Sequence, residues 1–223
     1  GGGTTVTALD TGITYTNSAV IPTMSSVNIS NLTSNSAAVS WFTGVATTGF
    51  LSYGLASTSL APTVVHAPTL LHTVELTGLT PNTTYYFSIT SSSTIDDNNG
   101  NPYNFTTTQV AIGTPYIVYG TVDDGSSAVS GAYIKLIVQQ NGTTSSPLSA
   151  ITDSDGKWNL NLGNLKMTDT GGVMNYSVGD LIKLSILQDT STTFTQDSSV
   201  SGSSPQALAV TVGTSSYSLP ADV

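Results

Sequence analysis

The sequence contains no cysteine and no arginine, and its four lysines are scattered rather than clustered. Without cysteine the chain has no thiol catalysis, no cysteine-bound zinc and no iron–sulfur cluster. With so few basic residues and a formal net charge of −9, it lacks the groups that bind nucleic acid phosphates or an anionic membrane surface. No apolar run approaches the roughly 20 residues needed to cross a bilayer. We therefore predict neither nucleic acid binding nor membrane insertion.

Charged residues are also scarce, at 8% of the chain against about 25% in ordinary globular proteins. Serine and threonine together supply 69 of the 223 residues, and 38% of residues are hydrophobic. This composition favours β-sheets with hydroxyl-rich outer faces over disorder. The chain begins with three glycines and no methionine, which we interpret as a processed, secreted product. The expected location is extracellular, at the cell surface.

The first half alternates apolar and polar residues in short segments separated by turn signals, as β-sandwich strands do. Val39 and Trp41 share one strand face, and Tyr85 and Phe87 share another. Asp97-Asn98-Asn99-Gly100 predicts a hairpin, because Asn and Gly tolerate positive φ. Nothing in this region favours a helix. The prediction is an all-β fold with Trp41 in its core.

Three motifs in this half occur in the order seen in one family. They are Ala38-Val39-Ser40-Trp41, Phe50-Leu51-Ser52-Tyr53-Gly54 and Leu79-Thr80-Pro81-Asn82-Thr83-Thr84-Tyr85, the last matching L-x-P-x-T-x-Y. Over residues 22–110 the chain resembles a fibronectin type III domain. That resemblance implies a binding or spacer fold without catalysis, with the Tyr85 hydroxyl bonded to backbone at the strand corner. The same region also looks like the domain that precedes metallophosphatase catalytic domains.

The second half has its own alternating segments, with Ile134, Leu136 and Val138 on one face and Trp158 beginning another. It contains Gly120-Thr121-Val122, Val129-Ser130-Gly131-Ala132 and Thr152-Asp153-Ser154-Asp155-Gly156-Lys157-Trp158. On these motifs, residues 115–213 resemble the carboxypeptidase-regulatory-like domains, which are related to transthyretin-like sandwiches. The resemblance implies a stalk or accessory module of a secreted protein, with Trp158 in the core.

The expected organisation is therefore two tandem immunoglobulin-like β-sandwiches with an extended N-terminal strand. We place an N-terminal arm at residues 1–21, a fibronectin type III-like sandwich at 22–110 and a linker at 111–114. A carboxypeptidase-regulatory-like sandwich with a C-terminal tail follows at 115–223.

The N-terminal arm has the alternation of a strand but no place in the first sandwich. Val6 alternates with Ala8, and Ile13 with Tyr15. An extended segment of this kind can add a strand to the sheet edge of a neighbouring subunit. A linker cut from a longer chain is an equally good explanation of the same residues.

Few residues point to chemistry. Only His66 and His72 can act as histidine base or ligand, and both are expected to be structural. Asp153 and Asp155 resemble the start of a calcium loop, but the further carboxylates that such a site needs are missing. Asp96-Asp97 with its neighbouring asparagines is a better oxygen cluster, and a turn is still the simpler interpretation. We expect no catalytic residue, no metal and no cofactor, with calcium as the one ion worth testing.

Six N-x-[ST] sequons make the chain a candidate glycoprotein in a host that modifies them. They lie at Asn28, Asn31, Asn82, Asn104, Asn141 and Asn175.

Together these features predict a non-catalytic structural protein that assembles with copies of itself, or with neighbouring cell-surface proteins, into a filament, sheath or layer. The arm would act as the donor strand, and the low charge leaves the sheet edges without their usual protection. Two alternatives stay open. The chain could supply accessory modules to a larger secreted enzyme, or it could be an adhesin that binds glycans or proteins through its loops.

Overall fold

The computed structural model describes residues 22–109, 113–188, 193–208 and 210–212. These residues form β-strands, turns and one short 3-10 helix at Leu162–Asn164, which confirms the predicted all-β class. No helix in these ranges is long and apolar enough to cross a membrane. The abundant β-branched residues account for the class, since they fit a pleated surface better than a helix.

Seven of the strands in these ranges belong to the first sandwich. They are β1 (Met24–Ser30), β2 (Ser36–Ala56), β3 (Ser59–Pro62), β4 (His66–Thr77), β5 (Thr84–Ser91), β6 (Thr94–Asp96) and β7 (Tyr103–Thr106). The long strand β2 passes from one layer to the other. Its first half pairs with β1 and β4, and its second half pairs with β3 and β5. The result is a β-sandwich with the Trp41 and Phe87 side chains in its core.

The hairpin predicted at Asp97–Gly100 is wrong in its pairing, although a turn is present. Strands β6 and β7 both pair with β5, at opposite ends of it, and not with each other. Asn98 and Asn99 do adopt positive φ, at 55° and 59°. The turn therefore lies between two segments, β6 and β7, of one edge strand. Both segments pair with β5, which gives them more backbone hydrogen bonds than pairing with each other would.

Among the described residues, nine strands form the second sandwich. They are β8 (Ile117–Asp123), β9 (Tyr133–Gln140), β10 (Thr143–Thr144), β11 (Leu148–Ile151), β12 (Lys157–Asn161), β13 (Leu181–Leu187), β14 (Thr193–Ser199), β15 (Gln206–Ala207) and β16 (Val210–Thr211). In one sheet β9 and β13 are the central strands, with β10 and β11 paired to β9 and β14 paired to β13. In the other sheet β8 is central, with β12 on one side and β15 and β16 on the other. The last two strands run parallel to β8. Trp158 and the alternating residues of β9 and β13 fill a core separate from the first.

Gly120 permits the close approach of the last strands to β8. A Cβ atom at this position would overlap the carbonyl oxygen of Leu208 and crowd the Trp158 ring. A larger residue would force β15 and Trp158 away from β8. This glycine is therefore required by packing, not by a turn.

Candidate functional site

The most extensive feature outside the two cores is the contact between the two sandwiches. Strand β2 is buried without interruption from Ala37 to Thr43, whereas a strand of a free two-layer sandwich is exposed at every second residue. Ala38, Ser40 and Phe42 point away from the first core, yet each is at most 2% exposed. The second sandwich covers this outer face.

An aromatic and aliphatic cluster forms the centre of the contact. Phe42 and Leu71, which are paired across β2 and β4, pack with Tyr133 of β9 and Leu187 of β13. The rings of Phe42 and Tyr133 meet edge to face, with centroids 6.5 Å apart and planes at 88°, a preferred aromatic geometry. The outer face of one sheet is therefore packed on the outer face of another, and the molecule is a stack of four β-layers.

Asn31 joins the two sandwiches through hydrogen bonds to the edge of β11. Its side-chain oxygen accepts from the Ser149 amide at 2.9 Å, and its side-chain nitrogen donates to the Ser149 carbonyl at 3.0 Å. Its own backbone amide donates to the Pro147 carbonyl at 3.0 Å. Asn31 adopts a φ of 50°, which asparagine tolerates better than most residues. These bonds satisfy an edge strand that would otherwise be open to a neighbour.

Further polar contacts surround these bonds. The Ser30 and Ser149 hydroxyls are 2.8 Å apart and buried, and the Lys135 ammonium donates to the Asn28 side-chain oxygen at 3.0 Å. Lys135 thus points away from its own core toward the first sandwich. The interface combines a hydrophobic centre with neutral or singly charged hydrogen bonds.

Trp41 and His72 form a stacked pair on the inner face of the same strands. Their ring centroids are 4.9 Å apart at 12°, and the Trp41 indole donates to the Ser91 hydroxyl at 3.0 Å. His72 is 2% exposed and its Nε2 contacts the hydroxyls of Thr43 and Thr47 at 3.4 and 3.3 Å. The pair is therefore packed inside the first sandwich, and His72 contacts neutral hydroxyl groups there.

The other two residues singled out as structural lie inside the sandwiches. The Tyr85 hydroxyl accepts a hydrogen bond from the Thr80 amide at 3.0 Å, across the corner that the family motif indicates. Trp158 is 4% exposed, and in the part of the chain that the structure describes its indole Nε1 has no hydrogen-bond partner.

The acidic turns use their carboxylates internally. Asp153 Oδ1 accepts from the amides of Asp155 and Lys157, each at 2.9 Å. Asp96 accepts from the Tyr103 hydroxyl at 3.0 Å, and this bond together with burial, the larger cause, raises the pKa of Tyr103 to about 12. The described residues contain no group of three or more histidine or acidic side chains arranged to hold a metal.

The sequons fall into two groups. Asn28 and Asn31 use their side chains at the interface. The other four are exposed, at Asn82, Asn104, Asn141 and Asn175. The arm residues Val6, Ala8, Ile13 and Tyr15 lie outside the described residues.

Sequence reasoning missed the interface. The available signal was the outer face of β2, where Ala38, Ser40 and Phe42 carry no charge. In a chain this poor in charge, three uncharged residues on one face do not distinguish a covered face from a solvated one.

The family model for the N-terminal domain of purple acid phosphatase matches residues 22–107. That domain is the non-catalytic part of its enzyme. No curated protein sequence matches the chain.

Among solved structures, the chain is similar to the sensor domain of the anti-sigma factor RsgI4 of Pseudobacteroides cellulosolvens, at 19% identity and a TM-score of 0.32, over 40% of this chain and 96% of that one. It is also similar to a two-domain fibronectin type III segment of chicken tenascin, at 15% identity and a TM-score of 0.30, over 80% and 99% of the respective chains. The shaft pilin SpaA of Lactobacillus rhamnosus GG matches at 11% identity and a TM-score of 0.30, over 77% and 87%.

Proposed function

We propose that the chain is a non-catalytic extracellular structural protein whose two sandwiches form one rigid block, and that blocks join through strand donation by the N-terminal arm. The domain division proposed with it is the one given above, with the arm at 1–21 and sandwiches at 22–110 and 115–223. The observation that carries the proposal is the face-to-face packing of the two sandwiches around Phe42 and Tyr133. A pair of modules joined only by a flexible linker would not need a buried aromatic contact and a hydrogen-bonded edge.

Strand β14 is the edge best suited to accept the arm. Within the described parts of the chain it pairs only with β13, in unbroken register over seven residues. Its sequence, Thr193–Ser199, contains no lysine and no proline, the residues that most often protect an edge. Strand β4 also has a free side among the described strands, but it contains Pro68, which removes a backbone donor. Main-chain hydrogen bonds would supply strength, and alternate arm side chains would set the register.

The test is negative-stain electron microscopy of the full chain at neutral pH, beside a chain lacking residues 1–20. A variant with Val6→Pro and Ala8→Pro keeps the arm's length but removes two backbone donors. Its matched control carries Thr5→Ser and Thr7→Ser. We expect filaments from the full chain and the control, and monomers from the other two. Monomers in every sample would refute strand donation.

A second candidate function is that of an accessory module of a secreted enzyme. The match of residues 22–107 to the purple acid phosphatase N-terminal domain favours it. Sequencing the gene on both sides of the region that encodes this chain tests the accessory role. A phosphatase catalytic domain in the same reading frame would make the chain an accessory module.

A further inference from the structure

The second sandwich has one outer face that the first sandwich does not cover. The sheet of β9, β11 and β13 packs against the first sandwich, so the outward side of β12, β8 and β15 faces the opposite way. Residues on that side alternate with the buried Val118, Gly120 and Trp158. The outward side contains a groove with a volume of about 450 Å³.

An aromatic ring is the main apolar element of the groove. Tyr119 is 43% exposed, although a tyrosine ring in a β-sheet is usually covered by its cross-strand neighbours. Asn159 of β12 stands opposite it on one side and Ala207 of β15 on the other. Because Ala207 has only a methyl group, the ring stays uncovered on that side.

Neutral polar groups surround this ring and have no partner of their own. The side chains of Tyr119, Thr121 and Asn159 make no hydrogen bond to any described residue, although all three line the groove. The charged groups nearby are engaged in contacts within the protein. The Lys157 ammonium lies 2.7 Å from an Asp155 carboxylate oxygen, and the Asp153 carboxylate accepts two backbone amides.

The position of the groove restricts its ligand. Strand β8 is paired on both sides, so a peptide cannot add to it as a strand, and recognition depends on side chains. An exposed ring beside a free amide and free hydroxyls offers an apolar surface together with neutral donors and acceptors. A sugar presents the matching pattern of C–H faces and hydroxyl groups. The overall charge of −9 disfavours an anionic ligand.

We propose that this groove, with Tyr119 as the stacking residue and Asn159 and Thr121 as hydrogen-bonding residues, binds a neutral saccharide. The site does not depend on the N-terminal arm. Loss of filament formation and loss of saccharide binding are therefore separate outcomes.

The experiment screens the full chain at neutral pH against an array of neutral oligosaccharides built from hexoses and N-acetylhexosamines, and measures the hits by isothermal titration calorimetry. Tyr119→Ala is expected to weaken binding by about tenfold, the equivalent of one aromatic contact. Asn159→Ala is expected to weaken it by a smaller factor. Tyr86→Ala is the matched control, because Tyr86 lies on a strand of the first sandwich, far from this groove in the topology, and it should leave binding unchanged.

Circular dichroism and thermal melting establish that each variant is folded, and Asn159→Ala carries the test if Tyr119→Ala does not fold. Failure of the full chain to bind any neutral saccharide would overturn the proposal. Equal binding by the wild type and both groove variants would overturn it as well.

Discussion

The imidazole of His72 lies between the Trp41 ring and two threonine hydroxyls, inside the first sandwich. Its Nδ1 has no hydrogen-bond partner among the described residues. Burial, aided by the charge of His66, lowers the pKa of His72 below its ordinary value of 6.5, against a smaller raising effect from the Thr69 backbone. The neutral ring is therefore the form that the fold accommodates.

This arrangement predicts that the first sandwich loses stability in mild acid. The unfolded chain takes up a proton at His72 near pH 6.5, but the folded chain does so only at lower pH. The free energy of unfolding therefore falls as pH drops through 6.5 and levels off below the folded-state pKa. His72→Phe keeps an aromatic ring on Trp41 and removes the titration, so its stability should change less between pH 7.5 and 5.0. Urea denaturation at the two pH values measures the stability of the wild type and of His72→Phe, with Leu55→Ala, at an exposed side chain of the same sandwich, as the control. Equal slopes for wild type and His72→Phe would show that His72 is not responsible.

Individual residues were predictable where a motif fixed their environment. Trp41 sits on a clear apolar face, and the Tyr85 hydroxyl bond follows from the L-x-P-x-T-x-Y pattern. The site around His72 was not predictable, because it requires Gly49. A Cβ atom at Gly49 would overlap the His72 ring, and no local pattern shows that these two residues meet.

The inner face of β2 belongs to the first core, and its outer face packs on the second sandwich. A substitution on the outer face should therefore weaken the contact between the two sandwiches. Phe42→Ala removes the ring that packs on Tyr133 and Leu71. Truncating a fully buried phenylalanine costs about 3–5 kcal/mol, and here the cost falls on the interface. We expect the sandwiches to unfold as two calorimetric transitions in place of one, and the radius of gyration from small-angle scattering to increase. Leu55→Ala, at a side chain that is 66% exposed, is the control. An unchanged single transition in Phe42→Ala would mean that other contacts hold the block together.

The two groups of sequons give an independent test of the interface. In a host that glycosylates sequons, Asn82, Asn104, Asn141 and Asn175 are expected to carry sugar. Asn28 and Asn31 are expected to stay unmodified in the folded protein. A glycan would be attached to the Asn31 side-chain nitrogen, which lies 3.0 Å from the Ser149 carbonyl oxygen and 3.2 Å from the Ser149 hydroxyl, so the contact with the second sandwich leaves no room for it. Peptide mapping by mass spectrometry measures occupancy at each site. Full occupancy of Asn31 in folded material would contradict the interface described here.

Strands with strong apolar alternation could be predicted from sequence. Strands β9 and β13 lie at the alternating segments that predicted them. Strand β14 could not, since its Thr193–Ser199 sequence contains a single apolar residue and resembles a loop. The parallel pairing of β15 and β16 with β8 was also unpredictable, because the choice of partner is made by tertiary packing.

Over the whole molecule, burial outweighs charge as the source of stability. The described residues contain two ion pairs, Lys157–Asp155 and Lys183–Asp197, both on the surface, and such pairs contribute about 0–1 kcal/mol each. Two separate cores and the interface between them supply the rest. The relative placement of the two sandwiches was beyond sequence reasoning, because it rests on contacts between residues about 100 positions apart.

The melting temperature should therefore depend little on salt. Between 50 mM and 1 M sodium chloride we expect Tm to hold or to rise by a degree or two, since salt also screens the self-repulsion of a chain with net charge −9. Differential scanning calorimetry at neutral pH measures the change. A marked decrease in Tm would show that ion pairs matter more than their exposure suggests.

The parallel arrangement of the first and last strands of the second sandwich has a mechanical consequence. Val118 and Val122 of β8 stand beside Gln206 and Val210 near the end of the described chain. Tension along the chain would pull these strands in opposite directions along their length. Their cross-strand hydrogen bonds, which lie across the pulling axis, would then be loaded together in shear instead of one after another. We therefore expect the pairing of β8 with β15 and β16 to resist tension along the chain better than strands that separate from one end.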